Sequence, residues 1–286
     1  MKIVRRVTEL RTDVAGARMR GERVCLVPTM GALHEGHLSL IRHARERGGL
    51  VVVSLFVNPA QFNEAADLSR YPRDESGDAA LAAGAGADIL FAPSVDEVYP
   101  PFFATMVDVA GVSEPLEGVV RGPKHFRGVA TVVAKLLNMV QPDIAVFGQK
   151  DAHQALLVRR MVIDLNMPVE IDVRPTVREA DGLAMSSRNA LLDADARRRA
   201  PALYRALGAV AAAVAAGERG ADRAIAAGRA VLAGEGIEPE YLAAVSAATL
   251  MPVSTIDGET LVPVAARFGA VRLIDNIVIT PPVGTP

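Results

Sequence analysis

The sequence has no tryptophan, one cysteine, five histidines and only 4% aromatic residues. A lone cysteine excludes an internal disulfide, and the apolar setting of Cys25 marks it as a buried strand residue. Scarce aromatics argue against a base-stacking surface. A net charge of −2 lacks the basic footprint of a nucleic-acid binder. No apolar run reaches the roughly 18 residues of a membrane span. The alanine-rich stretch 206–216 comes nearest, and Arg205 and Arg219 flank it. Basic residues follow Met1, but no apolar segment follows them, so no signal peptide is expected. The expectation is a cytoplasmic protein with neither nucleic acid nor membrane as partner.

Half of the 286 residues are apolar, enough for one large domain and a small one. Short Val/Ile/Leu runs at 24–28, 50–57, 88–92, 143–148 and 169–173 alternate with helical patterns near 33–47, 74–85 and 151–165. Continuous runs of this kind suit strands buried on both faces. The fold expected is α/β, a Rossmann-like doubly wound parallel sheet over residues 1–180. Beyond Arg188 the texture changes to Ala/Arg helices near 194–215 and 221–232, then strands at 240–245, 260–265 and 271–279. That predicts a smaller α+β domain over 181–286, joined through 174–189, with a loose proline-rich tail at 280–286.

The first turn of the sheet carries chemistry. In Pro28-Thr-Met-Gly-Ala-Leu-His-Glu-Gly-His37, His34 and His37 share one helix face at a helix N-terminus, where anions bind well. Gly36 leaves room for a flat group to approach the backbone. A nucleotide cradle, a helix cap and half of a metal site all fit the pair, although the zinc-binding H-E-x-x-H spacing needs one more residue. Lysine is scarce, four against 27 arginines. Lys150 stands at the end of the fourth apolar run, on the sheet edge of the histidine pair, as a phosphate contact or a solvated surface residue. Gly182-Leu-Ala-Met-Ser-Ser-Arg-Asn189, at the joint, offers two hydroxyls and an arginine as a phosphate clamp or a helix cap.

Together these stretches resemble the nucleotidylyltransferase superfamily that includes class I aminoacyl-tRNA synthetases. "PTMGALHEGHLSLI", "SLFVNPAQF", "YPR", "HFRGVATVVAKL", "FGQKDAHQ" and "GLAMSSRN", in this order, are similar to the pantothenate synthetase family. The likeness is close from Val24 to Asn189 and looser through "IDN" at 274–276. It implies ATP-dependent joining of pantoate to β-alanine with Mg2+, through an acyl adenylate, releasing AMP and pyrophosphate. It also implies a homodimer.

By the same resemblance Met30, Gly31, His34, Gly36 and His37 line the ATP site, with His37 as proton donor. Lys150 bridges the α-phosphate and the pantoate carboxylate. Gly148 and Asp151 hold the ribose, and Val177 holds the adenine. Met185, Ser186, Ser187 and Arg188 close over the pyrophosphate. Gln61 and Gln154 hold pantoate, and His125 and Arg127 belong to a mobile wall. His34, His37, Lys150 and Arg188 are thus the expected catalytic group, with no resident metal ligands. Gln149 and Gly77 depart from the family pattern, which commonly has acidic residues there. With Gly77 breaking the acidic pair, Asp78 is left out of the essential set. The alternative is a nucleotidylyltransferase of the superfamily that transfers a nucleotide and forms no amide.

Overall fold

The computed structural model describes residues 1–281, so residues 282–286 of the expected loose tail lie outside the described residues. The chain divides into two compact units. One comprises Met1–Gln149 with His153–Pro175, and the other Lys150–Ala152 with Thr176 onward.

The first unit contains strands β1 (Lys2–Val4), β2 (Val24–Thr29), β3 (Leu50–Leu55), β4 (Ile89–Phe91), β5 (Ile144–Gly148) and β6 (Glu170–Arg174). They form one sheet in the order β1-β4-β3-β2-β5-β6, every pair parallel. Its helices are α1 (Val7–Met19), α2 (Glu35–Glu46), α3 (Ala65–Arg70), α4 (Glu75–Gly84), α5 (Val95–Val98), α6 (Glu117–Arg121), α7 (Pro123–Val140) and α8 (Ala152–Asp164). The continuous apolar runs follow from cover on both faces. In β2, Val24 and Leu26 enter a core with Leu10 of α1 and Leu136 of α7. Cys25 and Val27 enter the opposite core with Ile41 of α2 and Ala82 of α4. Burial pushes the Cys25 thiol pKa up, as befits a strand residue in the core.

From β2 the chain builds one half of the sheet through β3 and β4, then crosses to build the other half through β5 and β6. The order therefore reverses between β2 and β5. In such sheets ligands bind in the crevice beyond the strand ends at that point. The loop after β2 holds Met30 to His34, and β5 ends at Gly148.

Elements absent from the pattern read in sequence include β1, α1 and α7. Strand β1 is too short for any periodicity, and α1 buries only Leu10, Val14 and Ala17 on a charged helix. Helix α7 buries twelve of its eighteen residues, and Lys124, Arg127, Lys135 and Asn138 mark the narrow polar stripe that stays outside.

In the second unit α9 (Ala194–Arg199), α10 (Ala202–Ala215) and α11 (Ala221–Gly234) pack with β7 (Pro239–Leu242), β8 (Val245–Ser246), β9 (Thr260–Phe268) and β10 (Val271–Ile279). The sheet is antiparallel, with β9 pairing β10, β7 and β8. The single helix expected over 194–215 is interrupted at Ala200–Pro201, where proline cannot continue the ladder. The run at 240–245 likewise splits into β7 and β8. Among the described residues no helix is long and apolar enough to cross a membrane.

Candidate active site

The turn after β2 is built on two left-handed residues, Gly31 (φ +89°) and Ala32 (φ +51°). A Cβ at Gly31 would lie 2.8 Å from both Asp78 Oδ2 and Leu55 Cδ1, so only glycine fits there. The turn directs two backbone N–H groups at one carboxylate of α4. Ala32 donates to Asp78 Oδ2 at 2.9 Å, and Leu33 donates to Oδ1 at 2.7 Å. Asp78 is 4% exposed.

The chain then enters α2 with His34 as its N-cap, in extended backbone. His34 Nδ1 accepts from the Gly36 N–H at 3.2 Å, and His37 Nδ1 accepts from the His34 N–H at 3.4 Å. The capping reading of the pair is therefore realised. A ring nitrogen that accepts from an N–H carries no proton, so a neutral imidazole in this arrangement has its proton on Nε2. The ring centroids are 4.1 Å apart. The cap thus presents a pair of Nε2–H donors whose orientation is fixed by backbone.

Beside this turn, Asn58 is 1% exposed and fully engaged. Its Nδ2 donates to Gln61 Oε1 at 3.0 Å and to the Gly128 carbonyl at 3.1 Å, while Oδ1 accepts from Ala60 N and from the Tyr99 hydroxyl. Burial holds the Tyr99 phenol protonated, with its pKa pushed up to about 12. Gln61 Nε2 points at Met30 Sδ, 3.0 Å away, so these two expected site residues touch. His125 Nδ1 bonds the Gln61 carbonyl at 2.8 Å. His125 and Arg127 stand at the start of α7, and Arg127 pairs with Asp108 at 2.5 Å. Gly148 lies at the end of β5 near Leu40 of α2, and Gln154 is half-buried in α8.

His153, next to Gln154, is buried and stacked on Phe126 with centroids 4.2 Å apart. Its Nε2 donates to the Val112 carbonyl at 2.5 Å, and Nδ1 has no partner among the described residues. Burial lowers its pKa from 6.5 to about 4, against the opposing pull of the Val112 carbonyl.

In the second unit, Lys150 is mostly buried, its Nζ 3.8 Å from the exposed Asp151. Val177 and Met185 face each other across a hairpin. Met185 N donates to Val177 O at 3.0 Å and Glu179 N to Leu183 O at 2.8 Å. The hairpin leads directly into Ser186, whose Oγ accepts from the Arg188 N–H at 3.3 Å and caps a short helix, Ser187–Leu191. Ser187 and Arg188 are exposed.

Sequence reasoning set Asp78 aside and did not single out Asn58. Asp78 acts on a turn 45 and 46 residues away, and Asn58 joins its local partners Ala60 and Gln61 to Gly128 and Tyr99 far along the chain. At Gly77, a Cβ would fall 2.2 Å from the Asp74 carboxylate that caps α4. Glycine there protects that cap and leaves Asp78 as the carboxylate that holds the turn.

A family described as pantoate–beta-alanine ligase matches residues 2–278. Pantothenate synthetase of Rhizorhabdus wittichii is 52% identical over 284 residues, 98% of this chain and 99% of that one. The Moorella thermoacetica pantothenate synthetase is 51% identical over 282 residues, again 98% and 99%. Among solved structures, pantothenate synthetase from Thermus thermophilus superposes with a TM-score of 0.91 at 48% identity, over 98% of this chain and 100% of that one. The pantoate–beta-alanine ligase from Francisella tularensis, complexed with beta-gamma ATP and beta-alanine, gives 0.77 at 30% identity over 97% of each chain.

Two outcomes are expected. Asp78→Ala leaves two buried N–H groups unpaired, lowering stability by about 1–3 kcal/mol and weakening ATP binding by titration calorimetry; unchanged values contradict this role. Folding favours neutral His153, so its contribution is complete above pH 6.5 and falls by about 3 kcal/mol as the pH drops toward 4. His153→Gln keeps a donor for Val112 without the titration and should flatten urea-unfolding stability across that window. A slope identical to wild type contradicts it.

Proposed function

The chain belongs to the pantoate–β-alanine ligase family, and from that premise we propose that it condenses pantoate with β-alanine, using ATP, through a pantoyl adenylate. It is an ATP-dependent ligase, and the products are pantothenate, AMP and pyrophosphate. A free carboxylate is a poor acyl donor. A pantoate carboxylate oxygen therefore attacks the α-phosphorus and pyrophosphate departs. The β-alanine amine then attacks the acyl carbon, AMP leaves with the bridging oxygen, and the amine gives up a proton.

Neither step needs a protein nucleophile. Both need in-line placement and donors aimed where charge collects on phosphate oxygens. In this reading His34 and His37 supply Nε2–H donors, with His37 as the proton donor. Lys150 places its ammonium between the α-phosphate and the pantoate carboxylate. Ser186, Ser187 and Arg188 receive the pyrophosphate, with Met185 beside them. Gly148, Asp151 and Val177 hold the nucleoside, Met30 and Gly31 line its site, and Gly36 leaves it room. Gln61 and Gln154 hold pantoate, its hydroxyl or carboxylate replacing Met30 Sδ, a weak acceptor, at Gln61 Nε2.

The observation that carries the reading is the capped histidine pair, two oriented N–H donors beside the point where the strand order reverses. Mg2+ enters with ATP. Among the described residues no three His, Cys, Asp or Glu side chains gather to hold an ion, and the Asp78 carboxylate is occupied by backbone. In this reading the ion is held chiefly by the phosphates of the nucleotide, the usual mode for Mg2+. The reading also takes the enzyme to be a cytoplasmic homodimer.

With pantoate, β-alanine and magnesium ATP, mass spectrometry should find pantothenate, AMP and pyrophosphate in equal amounts. Lys150→Ala should lower kcat by about 100- to 1,000-fold at an unchanged melting temperature. A pantoyl nucleotide that persists when β-alanine is added would instead favour simple nucleotide transfer.

A further inference from the structure

Within the second unit, β10 buries two consecutive polar residues, Asp275 and Asn276. Both Asp275 carboxylate oxygens meet the Arg178 guanidinium, at 2.6 and 3.0 Å. Arg178 also donates to the Gly182 carbonyl at 3.1 Å and stacks on Tyr204 of α10, 3.7 Å from the ring centroid. Gly182 has φ +91°, and a Cβ there would sit 2.6 Å from the Tyr204 ring. Arg178 is therefore held at three places, and with it the hairpin from Val177 to Met185 that leads into Ser186–Arg188.

The next residue reaches the other phosphate-directed element. Asn276 Nδ2 donates to the Lys150 carbonyl at 3.0 Å, and the Asn276 N–H donates to Asp275 Oδ1 at 2.7 Å. A lysine side chain is long, so its ammonium is only as well placed as its backbone. Here the backbone of Lys150 is fastened to the same strand that fastens the hairpin.

We propose that Asp275 and Asn276 are positioning residues for adenylation, fixing the Lys150 backbone and the hairpin of Ser186–Arg188 in one frame. The cation for the α-phosphate and the donors for the leaving pyrophosphate are then set before ATP arrives, and no reorganisation is needed as charge moves between them. Neither residue needs to touch substrate. The inference rests on the adenylating reading above.

The test is pantoate-dependent exchange of labelled pyrophosphate into ATP, with magnesium and without β-alanine, on the full chain. Wild type is compared with Asn276→Ala and the near-isosteric Asn276→Asp, which also lacks the donor. Rates are taken per mole of cooperatively melting protein, so a variant that folds poorly is still read on its folded fraction. The expected result is an exchange kcat lower by about 10- to 100-fold in both variants, with the KM for pantoate within about twofold of wild type. A lowered melting temperature with wild-type kcat would mean that Asn276 only stabilises the fold, and overturns the proposal alone. Absence of exchange in wild type overturns the adenylating reading, and the proposal with it.

Discussion

Two hydrogen bonds from Ala32 and Leu33 to the buried carboxylate of Asp78 set the geometry on which the candidate site depends. They lock a left-handed turn at the end of β2 and fix the direction in which α2 begins. Without that direction His34 would not cap the helix, and without the cap neither imidazole would have a defined tautomer. The chain of cause runs from one aspartate on α4, through backbone, to two N–H donors. A charge-assisted bond to an ionised carboxylate is stronger than a neutral one, which suits a turn that must tolerate two residues at positive φ.

The second unit solves a similar problem with a buried ion pair. Arg178 and Asp275 satisfy each other bidentately, and Arg178 spends its remaining capacity on the Gly182 carbonyl and the Tyr204 ring. A buried charge without its partner is strongly destabilising, so the pair resists small rearrangements of the hairpin. In both units a buried carboxylate organises a loop through its backbone or through an arginine, and the residues that would meet substrate ride on that loop.

The sequence made the general plan readable because the plan is local. Apolar runs at β2, β3 and β5 and their intervening helices announce a parallel sheet, and the elements found match the family that the six ordered motifs resemble. What stayed hidden is non-local or lacks a period. Asp78 acts on a turn 45 and 46 residues away, and Asn276 acts 126 residues away. Strand β1, three residues long, is too short to show a period. The His34 cap was one of several open readings because spacing alone cannot say which ring nitrogen faces the backbone.

The central claim is that the pantoate carboxylate itself attacks the α-phosphorus. It is tested most directly with pantoate carrying heavy oxygen in its carboxylate, turned over with ATP, magnesium and β-alanine. An acyl adenylate sends one labelled oxygen per turnover into the phosphate of AMP, detected by mass spectrometry. Unlabelled AMP, with the label in pyrophosphate or in released phosphate, would contradict the account.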